Sequence, residues 1–190
     1  MRVTPTRLPE VLLIEPEVHG DARGFFLEVW QRERYRAAGV EHDFVQDNVS
    51  FSARGVLRGL HFQNPHAQGK LVYVLQGEVY DVAVDIRQGS PRFGQWVGML
   101  LSGEGKQQLY IPPGFAHGFC VTSETALFAY KCTDVYSPAD EGVVAWDDPA
   151  IGIDWPIADP SLSSRDASAP RLAGLAAGRL PSYTEGEEER

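Results

Sequence analysis

Residues 56–86 read VLRGLHFQNPHAQGKLVYVLQGEVYDVAVDI, and this stretch decides the fold. Three strand-like runs, 56–63, 71–75 and 79–86, follow one another, separated by turn-forming proline and glycine. Within them β-branched and aromatic residues alternate with polar ones. A period of two puts His61 and Gln63 on one side of a strand and Leu60 and Phe62 on the other. The same pattern extends outward, to runs at 11–14, 24–30 and 44–52 before it and at 96–101, 107–111, 118–121 and 127–131 after it. Only 31–38, QRERYRAA, reads as a helix, with Gly39 to close it. Many short strands with tight turns predict a mainly β protein, a closed or sandwiched antiparallel barrel. Beyond Trp155, Pro156, Pro160, Pro170 and Pro181 limit regular structure, so this segment is expected to wrap the barrel.

At 190 residues and 43% hydrophobic content the chain can bury a substantial core, and it is read as one domain over 1–183 with an acidic tail at 184–190. No apolar run approaches the roughly 18 residues of a membrane helix, and MRVTPTRLPE lacks a signal peptide's basic-then-apolar pattern, so the protein is expected in the cytoplasm. Two cysteines, Cys120 and Cys132, without CxxC spacing read as buried free thiols. A net charge of −9 argues against nucleic acid and anionic membranes as partners. It leaves room for a small phosphorylated ligand near Arg23, Arg54, Arg58 and Lys70. No dinucleotide fingerprint, GxSxG elbow or HExxH helix is present. Gly103-Glu104-Gly105-Lys106 lacks the rest of a phosphate loop and reads as a hairpin turn.

Of five histidines, His19, His42 and His66 carry no pattern beyond surface or structural use. His61 and His117 differ. His61 lies in GLHFQ (59–63), and His117 follows the turn-forming PPGFA (112–116). These segments resemble the paired motifs of the cupin superfamily, a jelly-roll β-barrel. Its metal-binding members present two histidines one residue apart, then an acid seven residues before a glycine, and a further histidine after a PxG turn. Here Gln63 stands for the second histidine and Lys70, seven residues before Gly77, for the acid. A cation in place of a ligand implies no metal site.

The ordered series GFF (24–26), FVQDN (44–48), VLRGLH (56–61), QGKLV (68–72), DVAVD (81–85), IPPGFAHGF (111–119), YK (130–131), WDDP (146–149) and LSSRD (162–166) resembles the dTDP-4-dehydrorhamnose 3,5-epimerase family. The likeness runs over nearly the whole chain, to about Leu172. It implies inversion of two carbons flanking the ketone of a dTDP-4-keto-6-deoxy sugar without a cofactor, in dTDP-L-rhamnose formation. Imidazole exchanges protons near neutral pH, so His61 is the expected base, oriented by Asp166. Lys70 is expected to meet the enolate charge, and Tyr130, or else Tyr136, to reprotonate the opposite face. The resemblance assigns substrate contacts to Arg23, Phe26, Glu28, Gln46, Asp47, Asn48, Arg58, Lys70, His117, Tyr136, Glu141 and Arg165, the last often lysine in the family. It also implies a homodimer in which an N-terminal strand crosses over, so that Arg23 and Phe26 serve the neighbouring site. Two other readings stay open: an epimerase that inverts one carbon for another deoxysugar, and a non-catalytic cupin that binds a sugar nucleotide.

Overall fold

All ten alternating runs are strands in a computed structural model that describes residues 1–184. In chain order the elements are β1 (Arg2–Pro5), β2 (Leu12–Glu15), β3 (Val18–Asp21), β4 (Gly24–Leu27), α1 (Arg32–Arg36), β5 (Gln46–Ala53), β6 (Leu57–Gln63), β7 (Lys70–Gln76) and β8 (Glu78–Asp85). They continue with β9 (Trp96–Ser102), β10 (Gln108–Ile111), β11 (Phe115–Val121), β12 (Thr125–Cys132), β13 (Glu141–Val143) and α2 (Ser164–Ala167). The acidic stretch expected from residue 184 onward lies, Thr184 apart, outside the described residues.

The strands form two antiparallel sheets facing each other as a jelly-roll sandwich that does not close into a continuous barrel. One sheet has the order β1-β2-β10-β7-β12-β5, the other β13-β6-β11-β8-β9, and β3 and β4 form a separate exposed ribbon. The turn at 103–106 joins β9 to β10, which belong to different sheets; it is a crossover and not the hairpin turn expected. A five-residue glycine-rich link, 103–107, permits either connection, and only the pairing of each strand with distant partners selects one.

The main core lies between the sheets, with Val72, Val74, Val79, Leu109, Phe119 and Phe128 at its centre. A second core covers the outer face of the five-stranded sheet, where Leu60, Phe62, Val82, Val84 and Ala116 meet Val144, Ile151, Leu172 and Leu180. The segment after Trp155 therefore does wrap the sandwich, and backbone bonds pin it: Leu57 N to Ser161 O at 3.0 Å, Gln88 N to Pro181 O at 2.8 Å and Ala145 N to Pro170 O at 2.8 Å. Strand β11 is buried along its whole length as a result, His117 included. On the other sheet's outer face, α1 sets Tyr35 against Leu12, Ile14, Leu71 and Tyr110. Cys120 and Cys132 are buried free thiols, as expected.

Candidate active site

Strands β6 and β11 approach each other so closely at Gly59 that a Cβ there would stand 2.5 Å from Gly118 Cα and 2.8 Å from the His117 carbonyl oxygen. Glycine is required, and its φ of +131° is one that L side chains rarely adopt. This contact sits at a bulge in β6, where the three steps from Arg58 to His61 face the two from Phe119 to His117, and fixes a register in which His61 lies directly opposite His117.

His61 Nε2 lies 2.6 Å from Asp166 Oδ1. A carboxylate only accepts, so Nε2 carries the proton and Nδ1 presents the lone pair. Asp166 comes from a helix of four residues, α2, which a reciprocal cap defines: Ser163 Oγ accepts from Asp166 N at 3.1 Å and donates to Asp166 Oδ2 at 2.8 Å. Burial pushes the Asp166 carboxyl up, but the bonds from His61, Ser163 and the Gly59 backbone outweigh it and hold the carboxyl below its usual range.

A cavity of about 300 Å³ opens in front of this pair. The five-stranded sheet lines it with His61, Phe62 and Gln63 from β6 and Glu141 from β13, while the six-stranded sheet contributes Gln46 and Asn48 from β5, Lys70 from β7, and Tyr130 and Cys132 from β12. Pairing sets the second group in rows, with Cys132 opposite both Lys70 and Gln46, and Tyr130 opposite Asn48. His61 and Tyr130 thus occupy facing walls. Tyr130 makes no hydrogen bond among the described residues, and burial, with Cys132 and Glu141 nearby, raises its pKa and keeps the phenol protonated. Tyr136 instead commits its proton to Glu141 Oε2 at 2.6 Å. Lys70 is 9% exposed and likewise has no hydrogen-bond or ion-pair partner among the described residues; burial lowers its pKa against the opposing pull of Cys132, Asp81 and Glu141.

Gln63 stands at the position of a metal ligand in metal-binding cupins, and backbone groups occupy its amide. Its Oε1 accepts from Ser137 N at 2.8 Å, and its Nε2 donates to the carbonyls of His66 at 2.9 Å and Val135 at 3.3 Å. With Gln46 accepting from Tyr136 N at 2.8 Å and Gln68 donating to the Asp134 carbonyl at 2.8 Å, it sets the loop that carries Tyr136 at the cavity.

The sequence profile of one protein family, described as dTDP-4-dehydrorhamnose 3,5-epimerase, matches residues 5–174. The chain belongs to the dTDP-4-dehydrorhamnose 3,5-epimerase family. It is accordingly a carbohydrate epimerase, an isomerase. The epimerase of Salmonella typhimurium is 56% identical over 175 residues, covering 90% of this chain and 96% of the relative. A crystal structure of the Legionella pneumophila epimerase in complex with dTDP-4-keto-L-rhamnose superposes with a TM-score of 0.94 at 54% identity, covering 96% of this chain and 98% of that one. A 3'-monoepimerase from Streptomyces bikiniensis in complex with dTDP-quinovose has the same fold at a TM-score of 0.88 and 38% identity, covering 94% of this chain and 92% of that one.

Not every position matched to the family's substrate contacts lines the cavity. Arg23 is on the turn of the β3–β4 ribbon, bound to Asp21, and Phe26 on the same ribbon is 70% exposed. Glu28 pairs with Arg34 at 3.0 Å, Asp47 with Lys131 at 2.8 Å, and Arg58 bonds Ser52 Oγ at 3.1 Å. Arg165 reaches Glu141 Oε2, which also receives Tyr136. His117 is buried behind the wall, its Nε2 bonded to Asp81 Oδ2 at 2.9 Å and its ring stacked on Phe128. Burial lowers its pKa, against Asp81, which favours the charged form. Asp81 and Ser163 did not stand out in the sequence reading. An acid inside the apolar run VYDVAV and the S-x-x-D pattern of a capping box were the signals that mark them.

Proposed function

We propose that this chain inverts C3 and C5 of dTDP-4-dehydro-6-deoxy-D-glucose, the double epimerisation leading to dTDP-L-rhamnose, in the cavity between His61 and Tyr130. What carries the reading is the opposition of these two side chains on facing sheets, with the uncommitted ammonium of Lys70 on the same cavity. The Legionella relative's complex with dTDP-4-keto-L-rhamnose supports the sugar-nucleotide class.

A C–H bond next to the C4 ketone is acidic because its electron pair can move onto the ketone oxygen. His61 Nδ1 takes the proton, and Asp166 steadies the imidazolium that forms. The enolate oxygen develops charge that Lys70 meets. Tyr130 then gives its phenolic proton to the same carbon from the opposite side, which inverts it. His61 has gained one proton and Tyr130 has lost one, and exchange with solvent resets both before the second carbon reacts. Arg58, Arg165 and Arg23 serve the diphosphate, Gln46, Asp47, Asn48, Glu28 and Glu141 the sugar and nucleoside hydroxyls, and Tyr136 with Phe26 the base.

We take the working unit to be a homodimer of chains that each act as one unit over 1–183. The β3–β4 ribbon holds out Phe25 and Phe26, and the edge strand β5 with its preceding residue exposes Val45, Val49 and Phe51. A chain on its own would leave this apolar surface in water. Arg23 and Phe26 then serve the neighbouring site, and two buried free thiols suit the reducing cytoplasm, where we place the enzyme.

Incubating the enzyme with the keto sugar in deuterated water tests the reaction: NMR is expected to find solvent deuterium at both C3 and C5. Label at one carbon makes this a single-site epimerase like the Streptomyces bikiniensis neighbour, and none at either overturns the proposal.

A further inference from the structure

Two buried ionisable side chains in the sandwich interior carry polar atoms that make no hydrogen bond among the described residues. Lys70 reaches the cavity from β7, its ammonium unpaired among the described residues. Asp81, on β8 of the opposite sheet, is 0% exposed; its Oδ2 holds His117, while its Oδ1 is buried without a hydrogen bond. A buried ammonium without a compensating charge tends to lose its proton, and a buried carboxylate without one tends to gain it.

The groups that act on Lys70 narrow the choice of counter-charge. They are the Cys132 thiol on β12, Glu141 on β13 and Asp81 on β8, with His117 on β11 also within electrostatic range. Burial keeps Cys132 a thiol. Glu141 is already committed to Tyr136 and Arg165. His117 offers no negative charge. We propose that Asp81 is a positioning residue for the epimerisation: anchored by His117 through one oxygen, its carboxylate is the fixed negative charge that keeps Lys70 an ammonium inside the sandwich. This rests on Lys70 being the group that meets the enolate.

Asp81→Asn keeps the shape and an acceptor for His117 while removing the charge. Its kcat/KM profile is expected to lose its alkaline side about one pH unit or more earlier than the wild type, the scale of an opposite charge at close range. A profile that superposes on the wild type after an overall loss of activity makes Asp81 merely structural and overturns the proposal. Urea unfolding supplies a second reading independent of catalysis. Asp81→Asn and Lys70→Met are each expected to destabilise the chain, and the double variant to lose clearly less than the two losses added; simple addition overturns the coupling. Should Asp81→Asn not fold, Lys70→Met alone decides. With its cation gone, Asp81 takes up a proton on folding, so the stability of Lys70→Met relative to wild type is expected to fall as pH rises from 5 to 8. Parallel profiles overturn the proposal. If Lys70→Met keeps wild-type deuterium exchange, the role given to Lys70 in the reaction fails, whereas the charge coupling is still read from the unfolding cycle.

Discussion

Two histidine–carboxylate pairs meet where β6 and β11 pair, built from the same side-chain types at similar distances, 2.6 Å for His61–Asp166 and 2.9 Å for His117–Asp81. The two histidines are even direct neighbours across β6 and β11. Their surroundings separate them. The His61 side chain is 32% exposed and faces the cavity, and its carboxylate arrives from the C-terminal wrap. The His117 side chain is 7% exposed, stacked on Phe128, and its carboxylate comes from the adjacent strand of the same sheet. A base must release and regain its proton at a place substrate can reach, which the first pair allows and the second does not. A buried pair serves instead as fixed electrostatics, and the fold depends on its being complete.

That contrast is easiest to break at His61. His61→Ala is expected to lower kcat by roughly 10⁴-fold, the upper end for a general base. The urea midpoint should fall only modestly, since Asp166, though buried, keeps its bonds from Ser163 and the Gly59 backbone. A comparable loss of stability would erase the distinction between the pairs. Next in size is Asp166→Asn, for which single-turnover kinetics should give a loss of about 10²- to 10³-fold, because the amide no longer selects the Nε2–H tautomer or steadies the imidazolium.

The smallest effect is a slope in stability with pH, and it sharpens the comparison by its window. The folded pKa of His117 is lowered, so below about pH 6.5 the unfolded chain binds a proton that the folded chain resists. Stability from this group is therefore full above pH 6.5 and declines as pH falls towards the lower folded value. Asp166, whose carboxyl is also held low, keeps its contribution until pH drops below its ordinary value of 3.8. Urea midpoints between pH 7 and 5 should fall in the wild type and flatten in His117→Gln, whereas Asp166→Asn should leave that window unchanged. His66, exposed and raised by Asp140, pulls in the opposite direction, but solvent screens so open a pair.

The parts of the fold that were legible are those whose pattern is local. Alternation marked ten strands, and QRERYRAA marked α1, which ends before Gly39 with its φ of +98°. The unexpected strands β1, β3 and β13 are three or four residues long, with Pro5 in β1, full exposure along β3 and only Glu-Gly-Val in β13. β2 and β10 are as short but still carry apolar residues that the fold buries, whereas these three carry too little apolar pattern and are defined by the partner they pair with. In the site, family likeness brought His61, Lys70, Tyr130 and Asp166 forward together. It did not separate Tyr130 from Tyr136, because the difference lies in a hydrogen bond to Glu141.

By itself, then, the sequence determined that 56–86 is a set of strands and that His61 and Gln63 share a face, since these follow from spacing along the chain, and its resemblance to the cupin motifs put Lys70 where metal-binding cupins have an acidic ligand. Only the tertiary structure decided which histidine meets the cavity, which tyrosine keeps a free proton and where Asp81 leaves an oxygen unpaired. Burial and pairing belong to contacts between residues as far apart as the 105 positions that separate His61 from Asp166, and no local pattern encodes them.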